Sequence, residues 1–293
     1  MSHKSGFVNI IGNPNVGKST LMNTLVGENL SIITYKAQTT RQRIMGIVNG
    51  EDFQIVYSDT PGIVDPAYKL HERMMGFINT ALEDADVLIF MVEIGEMTIK
   101  NQKVIDRINS IETPLLVLIN KIDLGTQEKT IETAGFWQTV FPRAEVKAIS
   151  ALTNFNTEGI LNKVISLLPE APPYYPKDQL TDKFERFFAA EMIREKIFVN
   201  YSKEIPYSCE TVIESFQEEE NIIKIRSVIF VERDSQKGIV IGKGGEMLKK
   251  VGTQARKDME EFFGKKVYLE VFVKVLKDWR NNENLLKRFG YTD

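Results

Sequence analysis

The octapeptide Gly12-Asn-Pro-Asn-Val-Gly17-Lys18-Ser19 constrains this chain more than any other feature, because it lies between an apolar run (7–11) and a helix-like segment (18–26). G-x-x-x-x-G-K-[ST] in a strand–loop–helix setting lets the backbone curl until successive N–H groups point at one phosphate, and the helix dipole adds positive potential there. Gly12, Asn13, Pro14, Asn15, Val16, Gly17, Lys18, Ser19 and Thr20 are therefore the candidate phosphate-binding residues. Lys18 is expected to reach the β- and γ-phosphates, and the Ser19 hydroxyl to coordinate Mg²⁺. The surrounding pattern fits. Apolar runs at 7–11, 53–57, 87–92, 115–119 and 146–149 are separated by helix-like segments, among them 18–26, 70–82, 101–111 and 155–168. Continuous apolar runs alternating with helices indicate a mostly parallel sheet with helices on both faces.

A phosphate loop alone fits kinases, ATPases and GTPases, and the next motifs separate them. Asp59-Thr-Pro-Gly62 follows the 53–57 run, where a carboxylate can hold Mg²⁺ through water and the Gly62 N–H can meet a γ-phosphate. Asn120-Lys121-Ile122-Asp123 closes an apolar strand and reads as a guanine-selecting element. A carboxylate at Asp123 accepts from the ring N–H and the exocyclic amine of guanine. Adenine lacks that amine and presents a lone pair, so a buried carboxylate facing it is left unpaired. Asn120 is expected on the opposite edge of the base, and the Lys121 stem over the ring. Ser150-Ala151, after the 146–149 run, is expected to set an N–H against the guanine carbonyl oxygen. These motifs disfavour a small-molecule kinase. His71 reads as a polar residue near a helix start.

Pro169-Glu-Ala-Pro-Pro-Tyr-Tyr-Pro176 holds four prolines in eight residues, a composition that stops helices and stiffens extended chain. The expected organisation is a nucleotide domain over 1–168, a linker over 169–178 and a second domain over 179–293. In the second domain a helix (181–200) precedes strand-like runs at 207–216 and 222–233. A glycine-interrupted segment, a helix (246–263) and an alternating run (267–276) follow, giving an α-β-β-α-α-β order. Gly242-Lys243-Gly244-Gly245 sits between the two later helical segments. Residues 224–257 hold nine Lys/Arg against three acidic residues, whereas 210–220 hold five Glu and no basic residue. A G-x-x-G loop in that setting is the K homology arrangement in its bacterial (type II) form, an α+β unit. There the glycines press against a nucleic-acid backbone and an apolar groove holds about four unstacked nucleotides. The candidate RNA-binding residues are Ile241, Gly242, Lys243, Gly244, Gly245, Lys249 and Lys250, with Ile239 and Ile241 as groove candidates.

With these motifs the chain resembles the translation-factor-related branch of the GTPases, and the Era family in particular. Glu195-Lys196, the 228–233 strand, 240–245 and Ala255-Arg-Lys-Asp258 extend the resemblance through the second domain. The resemblance implies a GTP/GDP-binding GTPase that recognises the 3′ end of small-subunit (16S) ribosomal RNA during 30S subunit assembly, with GTP state controlling RNA affinity. It places a first switch in 28–43, with Gln38-Thr-Thr-Arg41 matching the family segment. Thr40 is the expected Mg²⁺-coordinating threonine and Thr39 the alternative. It also implies that Asn15 helps hold a potassium ion, and it admits peripheral contact with the cell membrane. Lys18, Asn15, Thr40 and Gly62 are the expected catalytic set, and Ser19, Thr40 and Asp59 the metal ligands. Ile63 follows Gly62 where many signalling GTPases carry a water-positioning glutamine, so slow unaided hydrolysis is expected. A second reading is an RNA-binding adaptor whose nucleotide site is structural; intact Lys18, Ser19, Thr40 and Asp59 weigh against it.

The bulk properties set outer bounds. Over 293 residues, 43% apolar and 26% charged content is that of a globular protein, and a net charge of −3 argues against non-specific coating of nucleic acid. No apolar run approaches the roughly 20 residues that span a bilayer, and no long basic amphipathic helix supports a membrane contact. Cys209, the one cysteine, permits no internal disulfide and reads as a small apolar side chain on a strand. The opening MSHKSGFVNI lacks a signal-peptide pattern. A cytoplasmic monomer is expected.

Overall fold

A computed structural model describes residues 3–292 and shows two compact units, one from residues up to Ala67 together with His71–Asp182, the other centred on Lys183–Thr292. In chain order the first unit runs β1 (Lys4–Gly12), α1 (Lys18–Val26), β2 (Ile44–Asn49), β3 (Phe53–Asp59), α2 (Lys69–Glu83), β4 (Val87–Glu93), α3 (Gln102–Ser110), β5 (Leu115–Asn120), α4 (Gln127–Val140), β6 (Glu145–Ala148) and α5 (Thr157–Leu167). The strands form one six-stranded sheet in the order β2-β3-β1-β4-β5-β6. Every pair is parallel except β2 with β3. The central strands β4 (VLIFMVE) and β5 (LLVLIN) are buried along nearly their whole length, as strands covered on both faces must be. Ile78, Ile105 and Trp137 of α2, α3 and α4 pack on one face with Phe90 and Val117. Helices α1 and α5 pack together and bury Leu21, Met22, Ile160 and Val164.

Because β1 has β3 on one side and β4 on the other, the sheet reverses its winding there. The crevice outside the carboxyl ends of the strands at such a point is where open α/β sheets bind ligands. The loops after β1, β3, β5 and β6 all open at that end.

The apolar pattern of the sequence marks neither strand β2 nor helix α4. β2 (IMGIVN) is a short edge strand, and the chain at 180–182 covers it: Ile47 N donates to Leu180 O (2.8 Å), Thr181 Oγ1 to Met45 O (2.7 Å), and Met45 N to Asp182 Oδ1 (2.9 Å). Upstream, the Gln54 side chain accepts from the N–H groups of Tyr174 and Tyr175 (2.7 and 2.9 Å). The proline-rich stretch expected as a linker thus lies along the first unit, and the residues just after it cover the sheet edge.

The second unit contains α6 (Glu185–Asn200), α7 (Ile205–Ser208), β7 (Glu210–Glu218), β8 (Ile222–Val231), α8 (Asp234–Ile241), α9 (Glu246–Phe263), β9 (Lys266–Val275) and α10 (Glu283–Arg288). Its three-stranded sheet has the order β7-β8-β9, antiparallel between β7 and β8 and parallel between β8 and β9. A parallel pair needs a crossover, which α8 and α9 supply. Val251, Ala255 and Met259 recur every four residues on α9 and face Ile193, Ile197, Ile225 and Ile229 in the core. The α-β-β-α-α-β order is present with two additions. Pro206 in a first helical turn makes 205–208 helical, so β7 starts at Glu210. The carboxy-terminal segment docks through Trp279 Nε1, which donates to Ser208 O (3.0 Å), and Tyr291 OH, which donates to the buried Glu210 Oε2 (2.6 Å). Cys209 is buried in this core. Among the described residues no helix is long and apolar enough to cross a membrane.

Candidate functional site

Two glycines fix the shape of the loop after β1. A Cβ on Gly12 would lie 2.3 Å from Met91 O, and one on Gly17 (φ +99°) 2.2 Å from Asn120 Nδ2, so neither position accepts a side chain. Lys18 opens α1 and is buried. Its Nζ folds back over the loop and donates to Gly12 O (3.1 Å) and Asn13 O (2.9 Å). Burial brings the Lys18 ammonium down to about 8 from its ordinary 10.5, opposed by the nearby Asp59 and Glu96 carboxylates. A phosphate arriving at this loop would find a cation whose charge is costly until it is paired.

Three hydroxyl and carboxyl oxygens converge beside Lys18. Ser19 Oγ donates to Asp59 Oδ2 (2.6 Å), and Thr40 Oγ1 lies 3.0 Å from Ser19 Oγ and 3.3 Å from Asp59 Oδ2. Asp59 is fully buried, its Oδ1 has no hydrogen-bond partner among the described residues, and burial raises its pKa against the pull of Lys18 and the neighbouring hydroxyls. An orphaned carboxylate oxygen next to two hydroxyls is a hard-oxygen set of the kind Mg²⁺ prefers when phosphates complete its shell. Thr39 Oγ1 is instead bonded within its own loop, to Thr34 Oγ1 (2.6 Å) and Lys36 O (2.8 Å). Of the two threonines, Thr40 faces the corner.

The loop carrying Thr40 is held at both ends. Asn23 brackets Ser31 with a reciprocal pair of bonds (2.7 and 2.9 Å). Arg43, buried, pairs with Asp84 (2.6 Å) and also donates to Ser58 Oγ and Asn9 Oδ1. Gly62 lies on the phosphate loop so closely that a Cβ there would meet the Pro14 N and Cα at 2.8 Å. Ile63 N donates to Gly12 O (3.1 Å), while the Ile63 side chain is buried in the core with Ile11 and Ile78.

On the base side, the Asn120 amide works inside the protein. Its Nδ2 donates to Val16 O (2.8 Å) and its Oδ1 accepts from Ala151 N (2.9 Å), tying the phosphate loop to the loop after β6. The Asn120 amide, expected against the base, is thus bonded to the N–H of Ala151, one of the two residues expected to offer an N–H to the base. Thr24 Oγ1 adds a bond to Ala151 O (3.1 Å), and the buried Ser150 accepts from Thr153 N (3.2 Å). Lys121 sits in the left-handed region (φ 64°) and its Nζ pairs with Glu93 (2.8 Å). The Asp123 carboxylate, expected buried, is exposed in a single helical turn, Ile122–Leu124.

A cleft of about 520 Å³ runs along the phosphate loop, lined also by Thr20, Thr34, Tyr35, Gln38, Thr39, Thr40, Gly62, Glu93 and Lys121. Asn120, Asp123, Ser150 and Ala151 lie outside that lining. Two residues of this region, Glu96 and Tyr35, carry no signal in the sequence. Glu96 Oε1 accepts from Asn13 Nδ2 (2.7 Å) and pairs with Lys100 (2.8 Å), while Asn15 (φ 66°) donates to Tyr35 O (3.0 Å). Neither residue belongs to a spaced motif.

In the second unit, Gly242, Gly244 and Gly245 take φ of +75°, +60° and +80° at the junction of α8 and α9. A Cβ on Gly242 would come within 2.8 Å of Met247, whereas Gly244 and Gly245 face open space. Beside this turn a groove of about 360 Å³ is lined by Gly245, Leu248, Lys249, Gly252, Thr253, Arg256, Leu269 and Val271. Ile241 packs against the core and Ile239 is half exposed; neither lines the groove. Gly252 inside a helix and the alternation of β9 are the sequence signals for this floor. The basic run divides. Lys224 and Arg226 pair with Glu219 and Glu214 along the sheet, as Lys265 and Lys274 beyond the run pair with Glu218 and Glu214, whereas Lys243, Lys249 and Lys250 are exposed and enter no ion pair among the described residues. Positive potential is thereby concentrated at the glycine turn. Lys196 of α6 pairs with Asp258 of α9, which fixes the helix that follows the turn.

Family models agree with this division. A 50S ribosome-binding GTPase family matches residues 7–121, and a KH domain family matches 204–280. The chain is 45% identical over 293 residues to GTPase Era of Syntrophus aciditrophicus, covering 99% of this chain and 96% of that protein. A crystal structure of Era in complex with MgGDPNP and nucleotides 1506–1542 of 16S ribosomal RNA superposes with a TM-score of 0.95 at 37% identity, covering 99% of this chain and 100% of that one. An Aquifex aeolicus Era variant bound to GDP and aluminium fluoride matches equally, with a TM-score of 0.95, 37% identity, and 99% and 100% coverage. A guanine-nucleotide unit followed by a KH unit, matched from end to end at this identity, makes the chain a member of the GTPase Era family.

Proposed function

We propose that the chain is a GTP-hydrolysing switch that binds the 3′ end of 16S ribosomal RNA and assists 30S subunit maturation. The observation that carries the nucleotide half is the convergence of Ser19 Oγ and Thr40 Oγ1 on Asp59 Oδ2 beside buried Lys18. Ser19 and Thr40 would hold Mg²⁺ directly and Asp59 through water; the ion would neutralise charge on the transferring phosphoryl group. Lys18 would exchange its carbonyl partners for phosphate oxygens. Gly62 N–H would meet the γ-phosphate, and loss of that phosphate would release the Thr40 loop between its Ser31 and Arg43 anchors. Ile63 lies in the core and positions no water, so unaided turnover is slow. A potassium ion near Asn15 would supply further positive charge. Asp123 would accept from guanine, while Asn120 braces the loops around it.

For the RNA half, the support is the glycine turn with three lysines that enter no ion pair among the described residues, beside a groove floored by Leu248, Leu269 and Val271, together with the related Era bound to 16S nucleotides. The cytoplasm is the compartment this reading requires. One experiment tests both halves: turnover of GTP and ATP by the full chain, in sodium and in potassium, with and without an oligonucleotide of the 16S 3′ end. GTP-selective hydrolysis and oligonucleotide binding are expected, with faster turnover in potassium that Asn15→Ala abolishes. Equal rates in all four ion and variant combinations would remove the potassium assignment. Absent turnover with intact RNA binding would leave an adaptor.

A further inference from the structure

We propose that His71 is a positioning residue that couples the Thr40 loop to the segment following Asp59-Thr-Pro-Gly62, an inference that rests on the GTPase reading. His71 lies in the first turn of α2 and is only 7% exposed. Its Nδ1 accepts from Ala67 N–H (3.4 Å), which puts the proton of the neutral ring on Nε2, and Nε2 donates to Gln38 Oε1 (3.1 Å). One tautomer satisfies both bonds.

Gln38 is two residues before Thr40 and lines the nucleotide cleft. It holds φ +60°, a left-handed conformation that a non-glycine residue keeps only where its surroundings impose it. In the same arrangement Thr40 Oγ1 faces Ser19 and Asp59. The His71 bonds therefore belong to the state in which the metal corner is assembled, and they favour it over a state with the loop withdrawn. A ligand that needs Thr40 in place should sense their loss; one that does not should not.

The test is the affinity of the full chain, with Mg²⁺, for a non-hydrolysable GTP analogue and for GDP. His71→Ala is expected to weaken the analogue by about three- to tenfold, the worth of one or two neutral hydrogen bonds, while leaving GDP affinity unchanged. Tryptic cleavage at Lys36 and Arg41 in the analogue complex should quicken. His71→Gln, which keeps an N–H donor at similar reach, should restore most of the analogue-to-GDP ratio. If His71→Ala does not fold, Gln38→Ala removes the same bond from the other side and should shift the ratio alike. Where both fold, the double variant should shift it no further. Equal losses for both nucleotides, or no change in the ratio, would overturn the coupling. Failure of the unaltered chain to bind the analogue would instead overturn the nucleotide reading, and the inference with it.

Discussion

The nucleotide cleft and the groove beside the glycine turn solve opposite problems. At the nucleotide site Lys18, Asp59 and Asn120 are buried and each is already held: Lys18 by two carbonyls, Asp59 by Ser19 and Thr40, Asn120 by Val16 and Ala151. At the turn the charges are exposed lysines beside an apolar floor, with no ion-pair partner among the described residues. A phosphoryl group and one base edge require donors at fixed points, whereas a run of unstacked nucleotides requires shape and positive potential. The cleft should therefore fail abruptly when one atom is lost, and the groove gradually.

Lys18→Ala tests the abrupt side and should give the largest effect. Removing a buried charge that pairs with phosphate costs on the order of 2–5 kcal/mol, so nucleotide affinity should fall by about 10²–10³-fold, measured by titration with a fluorescent GDP. A loss below tenfold would mean that the loop amides, not the cation, dominate. Asp123→Asn comes next. It replaces two acceptor oxygens by one acceptor and one donor, matching xanthine, which carries a carbonyl where guanine carries its amine. Because Asp123 is exposed, the loss for GTP should be about 10²-fold, below what a sealed pocket gives. Xanthosine triphosphate should recover hydrolysis.

The pH response of the cleft should be smaller. The folded Lys18 titrates near 8 rather than at 10.5, because burial disfavours its charge. Between those values the unfolded chain binds more protons, so the burial cost is fully present below about pH 8 and is relieved as pH rises toward 10.5, which raises stability. Nucleotide binding runs the other way, because phosphate favours the protonated amine. Affinity for GDP should fall by about tenfold from pH 7.5 to pH 9.5, with proton uptake on binding detectable by calorimetry in buffers of different ionisation enthalpy. A flat profile would show that the neutral amine binds as well.

The same contrast governs how much of the molecule is legible in its sequence. Chemistry that fixes residue types at fixed spacing is legible, which is why Gly12–Ser19, Asp59 and Asn120 stand out along the chain and why Thr40 needs only a choice against Thr39. Contacts made by ordinary residues far apart in sequence are not. Glu96 under Asn13, Tyr35 O against Asn15, and His71 on Gln38 are single polar pairs with no period or motif. Asn120 shows a different limit: its position is legible, but its hydrogen-bond partners depend on how two loops approach each other. In the second unit, alternation along β8 and β9 and the four-residue stripe of α9 are visible in the residues themselves. Which of those residues floor the groove is not. Ile239 and Ile241 are its nearest apolar candidates in sequence, yet folding turns Leu248 and Gly252 of α9 toward Leu269 and Val271 instead. Edge strand β2, interrupted by Gly46 and dependent on its cover at 180–182, does not announce itself.

Lys243→Ala tests the gradual side and should give the smallest effect. Its ammonium is exposed at the glycine turn and free of ion pairs among the described residues, so its removal leaves no buried group stranded. Affinity for single-stranded RNA should drop by about three- to tenfold, equally for unrelated sequences. The slope of log affinity against log salt should shrink by about 0.7, the counterion release of one phosphate contact. Gly242→Ala makes a pointed contrast, since its Cβ would meet Met247 at 2.8 Å at φ +75° and should lower thermal stability as well as binding. If Lys243→Ala instead abolished binding, or acted on one RNA sequence alone, the lysine would be reading a fixed point, and the turn would work as the cleft does.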